Sequence, residues 1–240
     1  MDFVEKHIIL ISTLLVAALY LVIGALFYLF LYAWKKNPFA HMKIQDLEVS
    51  NKQLEREGYL STITLIIFCV LGFLTGLLIE SGRSLMYFDV RLHSTKYFIT
   101  SIFLIIFLHD TYFYWTHRLL HLQGWFQRIH IIHHLSAIPN PLTALAFHPV
   151  EAIIQAAFFP LMIVIFPIHP AALSCFLLYM VFMNVLGHAG FQLFHYGKGL
   201  YQWLWWNNSS KRHDDHHQYA KGNYGLYFTF WDSWMKTKIE

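Results

Sequence analysis

Histidine is the unusual residue of this chain, with sixteen copies among 240 residues. Positions three and four apart share one face of a helix, so histidines at that spacing can present their rings together. The spacing HxxHH occurs twice, in "HIIHH" and in "HDDHH", and chance rarely produces such a repeat. The clustered histidines are His117 and His121 in "HDTYFYWTHRLLH", His130, His133 and His134 in "HIIHH", and His213, His216 and His217 in "HDDHH".

Facing imidazoles are suited to binding zinc, copper, iron or nickel. A single tetrahedral zinc ion takes only four ligands, so eight clustered histidines are too many for one ion and about right for two. A histidine-lined proton path would not need the same tight spacing twice. The two cysteines, Cys69 and Cys175, each lie in an apolar stretch, which argues against a cysteine-based zinc site or a disulfide framework. The sequence therefore predicts a site for two metal ions.

The elements that carry these clusters are apolar enough to lie in a membrane. The chain is 57% hydrophobic and 13% charged, against roughly 25% charged residues in soluble domains. Three apolar segments, Ile8–Trp34, Leu60–Ile79 and Tyr97–Trp115, approach or exceed the roughly 20 residues that cross a bilayer core. A net charge of +3 without a long Lys/Arg run gives no support to a nucleic-acid partner.

A fourth apolar region is interrupted by "PIHP" at Pro167–Pro170. The flanking segments, Ala152–Phe166 and Ala171–Leu186, are each short for a span, and the prolines prevent one continuous helix. The region is either a hairpin that enters the membrane and returns or two tilted spans.

The distribution of positive residues predicts the orientation. If Lys35 and Lys36 are cytoplasmic, the same side receives every Lys and Arg except Lys6, Arg83, Arg91 and Lys96. The segments 116–142 and 187–240 then emerge on one face, so the histidine clusters can meet on the cytoplasmic side.

Three motifs, "HDTYFYWTHRLLH", "HIIHH" and "HDDHH", together with "GNYGLYFTFWDSWM", resemble the sterol desaturase branch of the fatty acid hydroxylase superfamily, membrane oxygenases with a histidine-rich dimetal site. The resemblance runs from about Leu108 to Met235 and includes "NPLTALAFHPVEA" and "NVLGHAGF". It implies an all-α integral membrane protein with about four transmembrane helices and a cytoplasmic helical cap that holds the metals. We expect an N-terminal transmembrane region, 1–107, with a polar loop at 35–58, and a catalytic region, 108–240, with a membrane hairpin at about 150–187.

The resemblance also implies the site residues. His188 in "NVLGH" is expected as a ninth ligand, and related hydroxylases often carry a histidine where this chain has Asn184, which would bind through water or not at all. His195 stays open between metal contact and none. The expected metal ligands are His117, His121, His130, His133, His134, His188, His213, His216 and His217. Side chains expected to orient the imidazoles or to line a substrate site are His109, Asp110, His148, Asn184, Asp214, Asp215 and Asn223.

By resemblance, the metals are two iron ions and O2 is the co-substrate, although zinc can replace iron in a purified sample. The implied reaction is hydroxylation or desaturation of a C–H bond in a sterol, fatty acyl or sphingoid-type lipid, and it needs no separate acid or base residue. Electrons are expected from a separate cytochrome b5-like protein, or from a ferredoxin with its reductase, docking near Lys211 and Arg212.

Two alternatives stay open. A carotenoid or alkylglycerol oxygenase would share the fold, whereas a histidine-rich metal transporter or sensor would belong to another class. A transporter should carry ionisable groups in mid-span, and Ile8–Trp34 and Leu60–Ile79 carry none, so an enzyme is favoured. The bacterial inner membrane and the endoplasmic reticulum both fit the sequence, which does not give the oligomeric state.

Overall fold

The structure, a computed structural model, describes residues 3–34, 36–194 and 206–239. The described residues are helical and contain no β-strand, only two isolated bridges, Lys43 to Phe191 and Asn207 to Phe228. Lys35, His195 and Lys198 lie outside the described residues. The all-α prediction is confirmed for this part of the chain.

Four long helices form the body of the protein. Each contains an apolar stretch long enough to cross a bilayer, which confirms the prediction of about four transmembrane helices. Their outward faces carry exposed leucine, isoleucine and phenylalanine side chains, as expected of lipid-facing surfaces. The helices are α1 (Phe3–Tyr28, continued by a π-helical turn, Leu29–Ala33), α2 (Asn51–Glu80), α3 (Thr95–Leu120) and α8 (Pro170–Gly187).

Helix α2 begins nine residues before the apolar segment that predicts it. Ser50 caps the helix, since its hydroxyl accepts a hydrogen bond of 3.2 Å from the backbone N–H of Gln53. The first turns are polar yet partly buried, with Glu57 fully enclosed. Hydropathy does not detect them because they pack against protein at the end of the bundle.

The fourth apolar region is a hairpin with unequal arms. Its first arm consists of α6 (Pro149–Ala156) and α7 (Phe158–Ile165), and its second arm is α8. Only α8 is long and apolar enough to span, and the two shorter helices together make a 17-residue apolar arm. His169 is the N-cap of α8, since its Nδ1 accepts a hydrogen bond of 3.1 Å from Ala171 N.

The two ends of the bundle differ. At one end, the loop after α2 joins the hairpin turn, where Leu85 N donates to Ile163 O at 2.7 Å and Tyr97 Oη donates to Pro167 O at 2.7 Å. The opposite end carries a cap of short helices, and every clustered histidine lies in this cap or in the last turn of α3 and its C-cap. The cap consists of α4 (Gln123–Trp125), a π-helical turn (Phe126–His130), α5 (Ile131–His134), α9 (Ser210–Tyr219) and α10 (Phe230–Trp234).

A buried carboxylate ties the cap to α2. Glu57 accepts hydrogen bonds from Gln53 Nε2 at 2.8 Å, Asn140 Nδ2 at 2.6 Å and Thr143 Oγ1 at 2.9 Å. Three donors compensate for the loss of water around the carboxylate. The loop that precedes α6 is thereby fixed beside the histidines.

Candidate metal centre

The structure brings all nine expected ligands together in two groups. Within each group, one ring nitrogen from every histidine lies within 4.8 Å of the others. The groups touch, because the rings of His134 and His217 are 5.0 Å apart between centroids. The five-histidine group is His117, His121, His130, His134 and His216, and the four-histidine group is His133, His188, His213 and His217.

The repeated HxxHH spacing divides its histidines between the two groups. In the first copy, His130 and His134, four residues apart, belong to the five-histidine group, while His133 belongs to the other. The second copy reverses the roles, since His213 and His217 join the four-histidine group and His216 joins the five-histidine group. Each copy thus serves both groups, which explains why the tight spacing occurs twice.

Hydrogen bonds fix the orientation of most of these rings. Six histidines have Nδ1 within 2.7 to 3.4 Å of a backbone carbonyl oxygen, and a carbonyl can only accept, so Nδ1 carries the proton. The deprotonated Nε2 then faces inward, as in metal sites where an outer partner holds the opposite nitrogen. The pairs are His117 with Tyr224, His121 with Ala220, His133 with Ala146, His134 with His217, His188 with Asn184 and His216 with Gly222.

A seventh ring is paired with a carboxylate. Nδ1 of His130 lies 2.8 Å from Oε1 of Glu151, and both side chains are buried. Glu151 is in the first turn of α6, so the membrane hairpin itself orients a histidine of the five-histidine group.

The inward nitrogens need a cation. Nε2 of His117 is 3.0 Å from Nε2 of His130, and Nε2 of His188 is 3.4 Å from that of His133. Lone pairs facing each other at such distances repel, and a buried polar atom without a partner costs about 1–3 kcal/mol. Metal ions would satisfy both groups, so the donor set fits two metals. Four further Nε2 atoms are buried without a hydrogen-bond partner in the described part of the chain, those of His121, His134, His216 and His217.

Burial also keeps the rings neutral. Desolvation lowers the pKa of His134 and of His188 to about 4. It lowers the pKa of His121 to about 2, with a smaller contribution from neighbouring His117. Neutral imidazole is the form that binds metal, so the groups are ready to bind near neutral pH.

Three polar side chains on and after α9 make hydrogen bonds or ion pairs with groups other than the imidazoles. Asp214 accepts hydrogen bonds from Gln45 and Gln218, both at 2.7 Å. Asp215 pairs with Lys211, and Asn223 Nδ2 donates to Arg212 O at 3.2 Å. A role of these side chains in orienting the imidazoles or in lining a substrate site stays a prediction.

Asp110 and His148 secure the backbone near the site. Asp110 Oδ1 accepts hydrogen bonds from the backbone N–H of Tyr227 at 2.7 Å and of Phe228 at 3.3 Å, which fixes the chain after α9 to α3. Nδ1 of His148 accepts from Val150 N at 3.2 Å and caps α6. That they orient imidazoles or line a substrate site stays a prediction.

Asn184 and His109 lie between the histidines and the bundle interior. Asn184 Nδ2 donates to Ala144 O at 3.0 Å and to Tyr20 Oη at 3.3 Å, and its backbone carbonyl accepts from His188. Nδ1 of His109 is 3.0 Å from Tyr227 Oη. Both line a cavity, and neither belongs to a histidine group.

Sequence reasoning missed the partners that orient the rings. Glu151 had one available signal, since an acidic residue in an apolar hairpin requires a buried partner. Asp232 of α10 accepts from Tyr224 N and Gly225 N, each at 2.9 Å, and so shapes the segment that supplies carbonyls. That segment has left-handed residues at Ala220 and Gly222, which turn its carbonyls toward the rings.

An apolar cavity reaches the histidines from within the bundle. It lies between α1, α2, α3 and the hairpin. The lining ring of Phe113 is 5.1 Å from the ring of His117, and the ring of Phe147 is 5.1 Å from that of His133. A long apolar molecule in the cavity would thus be one aromatic ring away from each histidine group.

The fold and site define a class of membrane proteins with a histidine-rich centre able to hold two metals. The sequence model described as "Fatty acid hydroxylase" matches residues 102–237. The chain belongs to this family, and its relatives place it in the sterol desaturase branch, as expected from the motifs.

The curated relatives are sterol oxidases and desaturases, which are oxidoreductases. The chain is 33% identical to human lathosterol oxidase over 135 residues, covering 56% of this chain and 43% of the relative. It is 34% identical to a C-4 methylsterol oxidase of Schizosaccharomyces pombe over 144 residues, 58% of this chain and 47% of the relative. It is 27% identical to a Delta(7)-sterol 5(6)-desaturase of Candida dubliniensis over 230 residues, 93% of this chain and 54% of the relative.

The chain spans about half the length of these curated relatives. No solved structure matches it significantly.

Proposed function

We propose that this chain is a membrane oxidoreductase that holds two iron ions and uses O2 to hydroxylate or desaturate a C–H bond of a lipid. The observation that carries the proposal is the pair of buried histidine groups, with inward Nε2 atoms, above an apolar cavity. Iron is proposed over zinc because zinc has no redox chemistry, whereas the relatives are named as oxidases and desaturases.

Two bound irons would supply the activation of O2, and the protein's own residues would position the reactants. The carbonyls of 220, 222 and 224 hold histidines of the five-histidine group in one tautomer. Phe113 and Phe147 separate the cavity from the rings and keep water from the reacting carbon. Hydroxylation and desaturation each consume one O2, two external electrons and two protons, so the same site serves either outcome.

A sterol is the first substrate to test, because the relatives named above act on sterols according to their names. A fatty acyl or sphingoid-type lipid would fit the same apolar cavity. Carotenoids and alkylglycerols are further substrates for an enzyme of this fold.

The external electrons would come from a separate cytochrome b5-like protein, or from a ferredoxin with its reductase. We place the histidine cap on the cytoplasmic side of the endoplasmic reticulum or of a bacterial inner membrane, following the positive residues. Lys211 is exposed there, but Arg212 is half-buried and donates to Asn207 O at 3.2 Å. Lys211 is thus the more accessible of the two residues proposed to meet the donor.

The test is oxidation of a defined lipid by the purified protein. Iron-loaded protein in lipid nanodiscs receives lathosterol, O2 and a reduced donor, and mass spectrometry asks whether the lipid gains one oxygen or loses two hydrogens. About two irons per chain are expected, with a loss of product in the variants His133→Ala and His134→Ala. No oxidised lipid with any substrate class, or reversible metal flux across vesicles, would reject the proposal in favour of metal transport.

A further inference from the structure

One buried amide in the cavity has no hydrogen-bond partner among the described residues. Gln155 of α6 is 8% exposed and lines the cavity, yet neither Nε2 nor Oε1 makes a hydrogen bond with any described residue. Buried polar groups are nearly always hydrogen-bonded, so an unpartnered amide donor and acceptor indicate a missing ligand.

The other polar side chains that line the cavity have partners. Thr75 Oγ1 donates to Leu71 O at 2.7 Å, Nδ1 of His109 is 3.0 Å from Tyr227 Oη, and Asn184 donates to Tyr20 Oη. Most of the remaining wall is aliphatic or aromatic. Gln155 is therefore the polar group of this wall that is available to a ligand.

Its position relates it to the metal centre. Gln155 follows Glu151 by four residues on α6, so the two side chains share one face of the helix. Four residues correspond to an advance of about 6 Å along the axis. Since Glu151 contacts His130, the amide lies about one helical turn from the five-histidine group.

We propose that Gln155 binds a hydroxyl group of the lipid and so determines which end of the lipid approaches the histidines. A hydroxyl can donate to Oε1 and accept from Nε2 of the same amide, whereas a hydrocarbon can do neither. The polar end of the lipid then lies near the metal centre, its apolar body fills the cavity, and the oxidised carbon is a few bonds from the hydroxyl. This inference rests on the proposed function for its substrate class.

The test is a binding comparison that needs no turnover. Purified full-length protein in nanodiscs is kept anaerobic without a donor, and two matched pairs compete for it: lathosterol with its 3-deoxy hydrocarbon, and octadecanol with octadecane. We expect the wild type to prefer the alcohol in at least one pair by about 10- to 100-fold, and Gln155→Met to reduce that preference to about 2-fold or less. Comparing the same pair in both proteins cancels the unequal partitioning of the two lipids into the bilayer.

Phe159→Leu is the matched control, because Phe159 lines the cavity but offers no hydrogen bond. This variant should change the affinity for both lipids of a pair and leave the preference for the alcohol over the hydrocarbon unchanged. Equal binding of alcohol and hydrocarbon by the wild type in both pairs, or a preference that survives Gln155→Met, would overturn the proposal.

Thermal stability gives an independent readout. An amide without a protein partner can be replaced by a side chain of similar shape without loss, so Gln155→Met should melt at or above the wild-type temperature. A clearly lower melting temperature would show that the protein itself uses the amide, and the proposal would fail. A protein with the binding preference but no oxidised product would refute only the proposed function, and oxidation without the preference would refute only this inference.

Discussion

Nδ1 of His130 and Oε1 of Glu151 are 2.8 Å apart, and both side chains are almost completely buried. The contact joins the membrane hairpin to the cap at the metal centre. A carboxylate that accepts from Nδ1–H fixes the ring and makes its Nε2 a stronger ligand. Glu151 is the one carboxylate in contact with a histidine of either group among the described residues.

Glu151→Gln should weaken the five-histidine group. The amide keeps the shape of the side chain but loses the charge that supports His130, and such outer partners are typically worth about 10- to 100-fold in metal affinity. We expect metal analysis after dialysis against a chelator to fall from about two to about one ion per chain. Retention of both ions at wild-type affinity would contradict the orienting role of Glu151.

Glu57→Gln is the matched control and a stability prediction of its own. Glu57 is fully buried but accepts from Gln53, Asn140 and Thr143 and contacts no histidine. The amide would place its NH2 group against at least one donor, at a cost of about 2 kcal/mol or more. We expect a lower melting temperature in detergent with an unchanged metal content per folded chain.

Neighbouring histidines should empty different sites. His133 and His134 are adjacent in sequence but belong to different groups. His133→Ala should therefore remove the ion of the four-histidine group, and His134→Ala that of the five-histidine group. Mössbauer spectroscopy of iron-57-loaded protein should show a different residual iron signal in each variant, and loss of both ions from each would mean that the groups bind metal as one unit.

Gly222→Ala should disturb the ring of His216. Gly222 has φ +69°, and an added Cβ would meet the carbonyl oxygen of Thr237. The carbonyl oxygen of Gly222 accepts from His216 Nδ1 at 2.7 Å. Gly82, with φ +72° and open space around a Cβ, is the control for left-handed strain alone. We expect metal loss from the five-histidine group in Gly222→Ala but not in Gly82→Ala, and equal metal content in both would argue against the carbonyl's role.

The sequence was informative where chemistry is carried by side chains at regular spacing. Three spans follow from apolar length, the count of about four follows from the resemblance, and the histidine groups follow from HxxHH and from family motifs. The roles expected of Asp214 and Asp215 depend on contacts that their proximity to His213 in sequence does not reveal. Asp214 accepts from Gln45 and Gln218, and Asp215 pairs with Lys211.

The partners that orient the rings are mostly backbone carbonyls. Every residue type has a backbone carbonyl, so the residue types in a sequence do not show which carbonyl will accept from a histidine. Their placement depends on the left-handed residues Ala220, Gly222 and Asn223 and on the contacts of Asp232. The contacts of His117, His121 and His134 join segments 83 to 107 residues apart, which is why local patterns do not reveal them.

Phe147→Ala should affect the reaction more than the metals. Phe147 is buried, lines the cavity and packs 5.1 Å from the ring of His133, but it ligates nothing. Removing the ring leaves space between the lipid and the metal centre, so the substrate is held less firmly at the reacting carbon. Removal of a buried phenylalanine also typically lowers the free energy of unfolding by about 3–5 kcal/mol. At a temperature where the variant stays folded, we expect two irons per chain and a kcat reduced about 10-fold or more, with a greater share of electrons diverted from lipid oxidation. The measurement is product formed per electron consumed, and an unchanged ratio with unchanged kcat would mean that the lipid approaches the centre by another route.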